Sequence, residues 1–140
     1  MSTLERAIAI AAEAHAGQFD RAGEPYILHP LRVMMRLEAV EDRIVGVLHD
    51  VVEDNATWPL SALRAEGFSE AIIKAVDAVT RREDEDYESF VRRAGQNEIG
   101  RRVKLADLDD NMELTRIKTP GLKDHERMER YRKAMEILLA

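Results

Sequence analysis

The sequence predicts an all-α protein of about seven to eight helices. Three observations lead there. Apolar residues recur every three to four positions through most of the chain, helix start and stop residues bracket those stretches, and no segment reads as a convincing strand. No internal repeat or low-complexity linker interrupts the pattern, so residues 1–140 read as one domain.

Ser2 followed by Glu5 has the form of a capping box, and Leu4, Ala7, Ile8, Ala11 and Ala12 share one face of a first helix that Gly17 stops. Gln18 to Leu28 contains Gly23 and Pro25 and reads as loop. Pro30, suited to a first helical position, opens a second helix through about Leu37. Glu41 to Glu53 is a third, with Ile44, Val47, Leu48, Val51 and Val52 turned inward. Thr57-Trp58-Pro59-Leu60 starts a short helix ending near Gly67, and Ser69 caps a fifth that carries Ile72, Ile73, Val76 and Val79. The run RREDEDYES, Arg81 to Ser89, reads as a solvated loop leading into a helix. Glu98 to about Ile117 forms a long helix, and Thr119-Pro120 caps a last one that runs to Leu139.

Composition narrows the function classes. The net charge of −6 argues against a surface that coats nucleic acid, because such binding rests on neutralising many phosphates. It leaves room for a small phosphorylated ligand, which one ion and a few cations can hold locally. There is no cysteine, so thiolate metal sites, disulfides and a Cys nucleophile are excluded. No apolar run approaches the ~18 residues of a membrane span, and the N-terminus lacks a signal-peptide pattern. The expectation is a cytoplasmic protein without membrane or nucleic-acid partners; homo-oligomerisation stays open.

The stretch LHDVVEDN breaks the core pattern of the third helix with four ionisable side chains. His49 and Glu53 are four apart, as are Asp50 and Asp54, so these groups lie on neighbouring turns of one helix surface. Like charges so placed repel, and more strongly once desolvated; a divalent cation reverses the sign. Alone, the string is equally compatible with a solvated helix end beside a buried, hydrogen-bonded His. Two further segments add to it. GEPYILHPL places His29 at a loop-to-helix junction fixed by Pro30. KLADLDDNM puts Asp107 on the apolar face formed by Val103, Leu105, Leu108 and Met112, with Asn111 one turn on. A buried carboxylate there needs a partner.

Together with AHAGQ around His15 and VDAVTRRE, these ordered segments resemble the HD-domain hydrolases of the RelA/SpoT type, which remove pyrophosphate from the 3′ position of the alarmone (p)ppGpp. The resemblance covers nearly the whole chain, and the size resembles the small stand-alone hydrolases. It implies an HD-type helical bundle over 1–140, with His29, His49, Asp50 and Asp107 as metal ligands. It makes Glu53 and Asp54 the acid pair that orients and deprotonates the attacking water, and puts Asn111 at a substrate-contacting position. The ion it implies is manganese; two imidazoles and two carboxylates also suit iron, cobalt or zinc. A divalent ion lowers the pKa of its water and neutralises charge on phosphoryl oxygens, while general-base help is typically worth ~10²–10⁴ in rate.

The likeness thins at recognition positions. Asp20 stands in FDRAGEPYI where the family carries a basic residue, leaving Arg21 to stack on a base or meet a phosphate, with an exposed loop Arg as the alternative. In ADLDDNMEL, Leu108 stands for Arg, Asp110 for His and Glu113 for a second Arg, and Leu114 for a Thr. Lys104, one turn before Asp107, is a further candidate phosphate contact, or a snorkelling Lys. Arg81 and Arg82 are weaker candidates. Tyr26 and Trp58 read as aromatic core or pocket wall, His15 as a hydrogen-bonded core residue, and His125 as exposed. These departures open a second expectation, hydrolysis of another phosphorylated nucleotide, and a third, a non-catalytic nucleotide-binding helical module.

Overall fold

Three helices meet where the ionisable residues lie, and the rest of the chain supports that meeting. The computed structural model describes residues 2–54, 57–113 and 121–140, with Asp54 described by its backbone alone. Among these residues the chain forms α1 (Leu4–Ala14), α2 (Leu28–Met35), α3 (Val40–Leu48), α4 (Val51–Asp54), α5 (Leu60–Ala65), α6 (Glu70–Ala78), α7 (Tyr87–Gly95), α8 (Glu98–Asn111) and α9 (Leu122–Leu139). The extended pairing among the described residues is one isolated bridge, Phe19 to Pro25. The all-α expectation holds; the ninth element arises because the expected third helix is split.

That split has a local cause. His49, the C-cap of α3, turns its Nδ1 onto the carbonyl of Gly46 at 2.6 Å. This is the carbonyl that the next amide, Asp50, would use in a continuous α-helix. A side chain competing for that acceptor releases the backbone, so His49 and Asp50 form a turn before α4 resumes at Val51. The expected helix 41–53 is therefore two segments with the His-Asp pair at the joint.

Other boundaries shift for physical reasons too. The cap of α1 is Thr3, whose Oγ1 accepts from the Arg6 amide at 3.1 Å, and the Ser2 amide instead donates to the Gly67 carbonyl. Helix α2 begins two residues before Pro30, which costs no hydrogen bond because the first-turn amides lack helical partners anyway. It ends at Met35 rather than Leu37. Helix α8 ends at Asn111, short of Ile117, with the Met112 amide bonded back to the Leu108 carbonyl. Residues 114–120 lie outside the described set, and with them the expected Thr119-Pro120 cap; Gly121 caps α9, its amide donating to Asp124 Oδ2 at 2.9 Å. The Ser69 cap stands, its Oγ accepting from Ile72 at 3.3 Å. In the acidic run, Asp86 caps α7 by accepting from the Ser89 amide at 2.7 Å.

The main core joins α1, α2, α3 and α6, with Ile10, Val33, Val45, Leu48 and Val76 withdrawn from solvent. Each such side chain contributes roughly 1.5–3 kcal/mol. Gly46 lets α3 pass close to α2: a Cβ there would sit 2.8 Å from Leu37 Cδ1. A second cluster of Val91, Leu108, Ala134 and Leu138 joins α7, α8 and α9. Two arginine clamps tie elements together. Arg102 of α8 grips buried Asp42 of α3 through two bonds of 2.6 and 3.1 Å. Arg93 of α7 holds Glu85 and also donates to the Asp77 and Thr80 carbonyls at the end of α6.

Candidate metal centre and active site

Helices α2, α3 and α8 pack pairwise against one another. Their contact line brings His29 from the first turn of α2, His49 from the end of α3, and Asp107 from α8 to one point, joined by Asp50 from the turn after α3. Ligand atoms of His29, His49 and Asp50 all lie within 4.8 Å of one another. Asp107 Oδ1 stands beside them, 2.9 Å from His29 Nε2 and 3.2 Å from His49 Nε2. Asp50 Oδ2 is 3.1 Å from His49 Nε2 and 3.7 Å from His29 Nε2.

The orientation of both rings is set from behind. The Gly46 carbonyl can only accept, so His49 Nδ1 carries a proton and donates to it. His29 Nδ1 faces a carboxylate oxygen of Asp110 at 2.7 Å. Each ring is thus held by Nδ1, and both Nε2 atoms face the same spot as Asp50 and Asp107. Donors about 2.1 Å from a common ion would be separated by about 3.0 Å at right angles and about 3.4 Å in a tetrahedron. The observed separations bracket those values, so His29, His49 and Asp50 fit a divalent cation, with Asp107 Oδ1 beside both imidazoles.

Electrostatics point the same way. Burial pushes the His49 imidazole down, but the charges of Asp50 and Asp107 outweigh it and hold the ring well above its ordinary value. Burial opposes His29 in the same way, and the hydrogen bonds to Asp107 and Asp110 raise it. Burial pushes the Asp50 and Asp107 carboxyls up; His49 pulls Asp50 below its ordinary range, and Lys104 with His49 pulls Asp107 well below it. The cluster therefore demands positive charge at its centre. Imidazole protons meet that demand, and a divalent cation meets it in their place, since metal ligands must shed their protons.

Around the centre lies a cavity of about 180 Å³, lined by the cluster together with Glu53, Arg81, Tyr87, Lys104, Asn111 and Arg130. A wider cleft of about 330 Å³ continues from it; Tyr26, His29, Asn111 and Tyr131 line both. Glu53, on α4, faces the inner cavity. Its burial, then the nearby Asp50 charge, raises its carboxyl above the usual range. The side chain of Asp54 lies outside the described residues. Asn111 Nδ2 donates to Asp107 Oδ1 at 3.1 Å. Lys104 is buried, not snorkelling: its Nζ lies 2.9 Å from Asp107 Oδ2 and 4.9 Å from the centre of the Phe90 ring. Arg21 stands in the outer cleft, ion-paired with Asp124 at 2.6 Å.

Several positions differ from their sequence reading. Asp20 serves its own loop, its Oδ1 accepting from the Ala22 and Glu24 amides at 2.9 and 3.0 Å. Leu108 is fully buried in the second core cluster, so its loss of a basic side chain is packing. Trp58 packs on the main core, in line with its sequence reading as aromatic core. Tyr26 does more than wall a pocket, since its hydroxyl donates to Asp50 Oδ2 at 2.6 Å. His15 is buried as expected, with Nδ1 2.9 Å from Gln18 Oε1, though among the described residues Nε2 has no hydrogen-bond partner. In sequence, Asp110 stands out only as a departure from a pattern. The available signal was its spacing: three residues after Asp107, it shares that face of α8.

Comparison with known proteins gives the family and the fold. The HD domain family model matches residues 7–118. A guanosine-3′,5′-bis(diphosphate) 3′-pyrophosphohydrolase of Borreliella burgdorferi is 36% identical over 86 residues, 59% of this chain and 13% of that protein. The protein of the same name from Aquifex aeolicus is 31% identical over 121 residues, 78% of this chain and 17% of its own length. The chain thus spans less than a fifth of the length of these curated relatives. A solved structure, described as a metazoan ortholog of SpoT that hydrolyzes ppGpp and plays a role in starvation responses, superposes with a TM-score of 0.76. It covers 99% of this chain and 84% of that one at 22% identity, which establishes a shared fold. With the family model spanning both histidines, both cluster aspartates and the helices that carry them, the chain belongs to the HD domain family.

Proposed function

We propose that residues 1–140 form one metal-dependent phosphohydrolase unit that removes pyrophosphate from the 3′ position of (p)ppGpp. The observation that carries this reading is the convergence of His29, His49, Asp50 and Asp107 at the wall of a cavity continuous with a larger cleft. The names of the relatives supply the substrate class. A divalent ion, manganese in this reading, supplies Lewis-acid activation of water and charge neutralisation at the phosphoryl oxygens.

The chain's own residues do the rest. Glu53 takes a proton from the attacking water, for which its raised carboxyl is better matched than an ordinary one; Asp54 shares that work. Asn111 stands at the junction of cavity and cleft and orients the substrate. Lys104 holds Asp107 and adds positive charge to the wall. Among the described residues, the guanidinium groups of Arg81 and Arg130 make no ion pair with a carboxylate; each lies against the Tyr87 ring, at 5.7 and 5.0 Å. They suit the departing pyrophosphate. Arg21 meets the nucleoside or its phosphates after release from Asp124. No helix among the described residues is long and apolar enough to cross a membrane, and a cytoplasmic location is part of the proposal.

A second reading keeps the reaction and changes the nucleotide. It is favoured by the outer cleft, where Asp20, Glu113 and Asp124 stand among the cations. Pyrophosphate release from ppGpp with manganese, run beside other phosphorylated nucleotides, separates the two. Preference for a substrate without a 3′-pyrophosphate selects the second. Tight binding without turnover under any divalent metal removes both.

A further inference from the structure

The carboxylate most completely withdrawn from solvent near the centre has no part in the donor set. Asp110 has no exposed surface, and its two oxygens face opposite ways. Oδ2 lies 2.7 Å from His29 Nδ1; Oδ1 lies 2.8 Å from Arg32 Nε and 3.6 Å from an Arg36 nitrogen. One helix therefore grips the His29 ring at both edges: Asp107 at Nε2, and Asp110, three residues on, at Nδ1. The arginines come from α2, the helix that also carries His29.

We infer that Asp110 is the positioning residue of the ion site, holding His29 by Nδ1 so that only Nε2 is presented to the cation. The inference rests on the reading of the cluster as a cation site. An imidazole free at Nδ1 can turn about its bond to the chain and exchange which atoms face the cavity. A carboxylate acceptor blocks that rotation, fixes the proton on Nδ1 and strengthens Nε2 as a donor. The Oδ2 contact makes that hold, and the arginines at Oδ1 tie α2 to α8, so the sequence departure at Asp110 bears on holding the ion.

A bland alternative is that Asp110 only staples α2 to α8 through Arg32. Manganese affinity by calorimetry, read beside thermal unfolding of the metal-free protein, separates the two. Asp110→Ala is expected to bind manganese about ten- to a hundredfold more weakly, the range for losing such an outer partner. Arg32→Met breaks the staple but leaves the contact with His29. It should lower thermal stability while keeping affinity within about threefold of the parent. The double variant, which removes the partly exposed arginine that Asp110→Ala would leave without its carboxylate, keeps the test open if Asp110→Ala does not fold, and it should show the same weak binding. Parental affinity in either variant lacking Asp110, or an equal loss in Arg32→Met, overturns the positioning role alone. Absence of manganese binding by the unsubstituted chain overturns the underlying reading as well.

Discussion

Replacing Lys104 by Met removes one ammonium and leaves most of the apolar stem in place. In the folded protein that ammonium lies 2.9 Å from Asp107 Oδ2, over the rings of Phe90 and Tyr87 at 4.9 and 5.7 Å. Both charged side chains are nearly withdrawn from solvent, at 10% and 7% exposure. Burial lowers the Lys104 ammonium, but Asp107 and Tyr87 outweigh it and hold it above its ordinary value. Removing one member of a buried ion pair costs about 3–5 kcal/mol. Asp107 would keep Asn111 and both imidazoles on Oδ1, which favours the lower end, about 3 kcal/mol. At ~2–4 °C per kcal/mol for a protein of this size, the metal-free melting temperature should fall by about 6–12 °C. Saturating manganese should shrink that penalty, because the cation answers the same carboxylate. Differential scanning calorimetry of parent and variant, with and without the ion, measures both terms. A fall under about 2 °C, or a larger fall with manganese than without, refutes the reasoning.

Three further outcomes follow from other parts of the fold. Glu53→Gln should reduce turnover by ~10²–10⁴ while manganese affinity and melting temperature stay near the parent's. In the parent, the acid limb of the rate profile should lie above the ordinary glutamate range, rising with pH as the raised carboxyl ionises; a limb at or below that range contradicts the assignment. Glu85 is held down to about 2 by the Arg93 hydrogen bonds. Its contribution is fully present above its ordinary value near 4.5 and is lost as pH falls through about 2. Urea unfolding across that window should show a loss on the order of 1–2 kcal/mol that Arg93→Met abolishes; an unchanged slope in the variant would contradict it. Leu108→Arg, which restores the family's basic residue, should destabilise by roughly 3–5 kcal/mol because it places an unpaired charge in the core. A gain in substrate affinity without loss of stability would show that Leu108 is read wrongly here.

Much of the fold is legible in the residues because helical periodicity survives in single segments: Ile72, Ile73 and Val76 behind the Ser69 cap read the same way in sequence and structure. Boundaries are less legible, because competing local bonds decide them. The choice between Ser2 and Thr3 as cap turns on a contact with Gly67, distant in sequence. The break at His49 depends on which atom takes the Gly46 carbonyl, and composition cannot report that. His29, His49 and Asp50 come together with Asp107 bonded to both imidazoles, because each is an ionisable group set into an apolar face, a costly placement unless partners meet it. What sits behind them is less visible. Tyr26 and Asp110 reach the cluster through hydrogen bonds that span 24 and 81 positions. Asp20 and Leu108 show the converse: departures at recognition positions that the folded chain uses for a turn and for packing.

The most direct test of the site is a manganese titration followed by pulsed electron paramagnetic resonance of the bound ion. One ion per chain should appear, with nitrogen couplings from two imidazoles, one of them lost in His29→Ala and the other in His49→Ala. Substoichiometric binding, or a bound ion whose spectrum carries no imidazole nitrogen, would contradict the convergence of His29, His49, Asp50 and Asp107 on one cation.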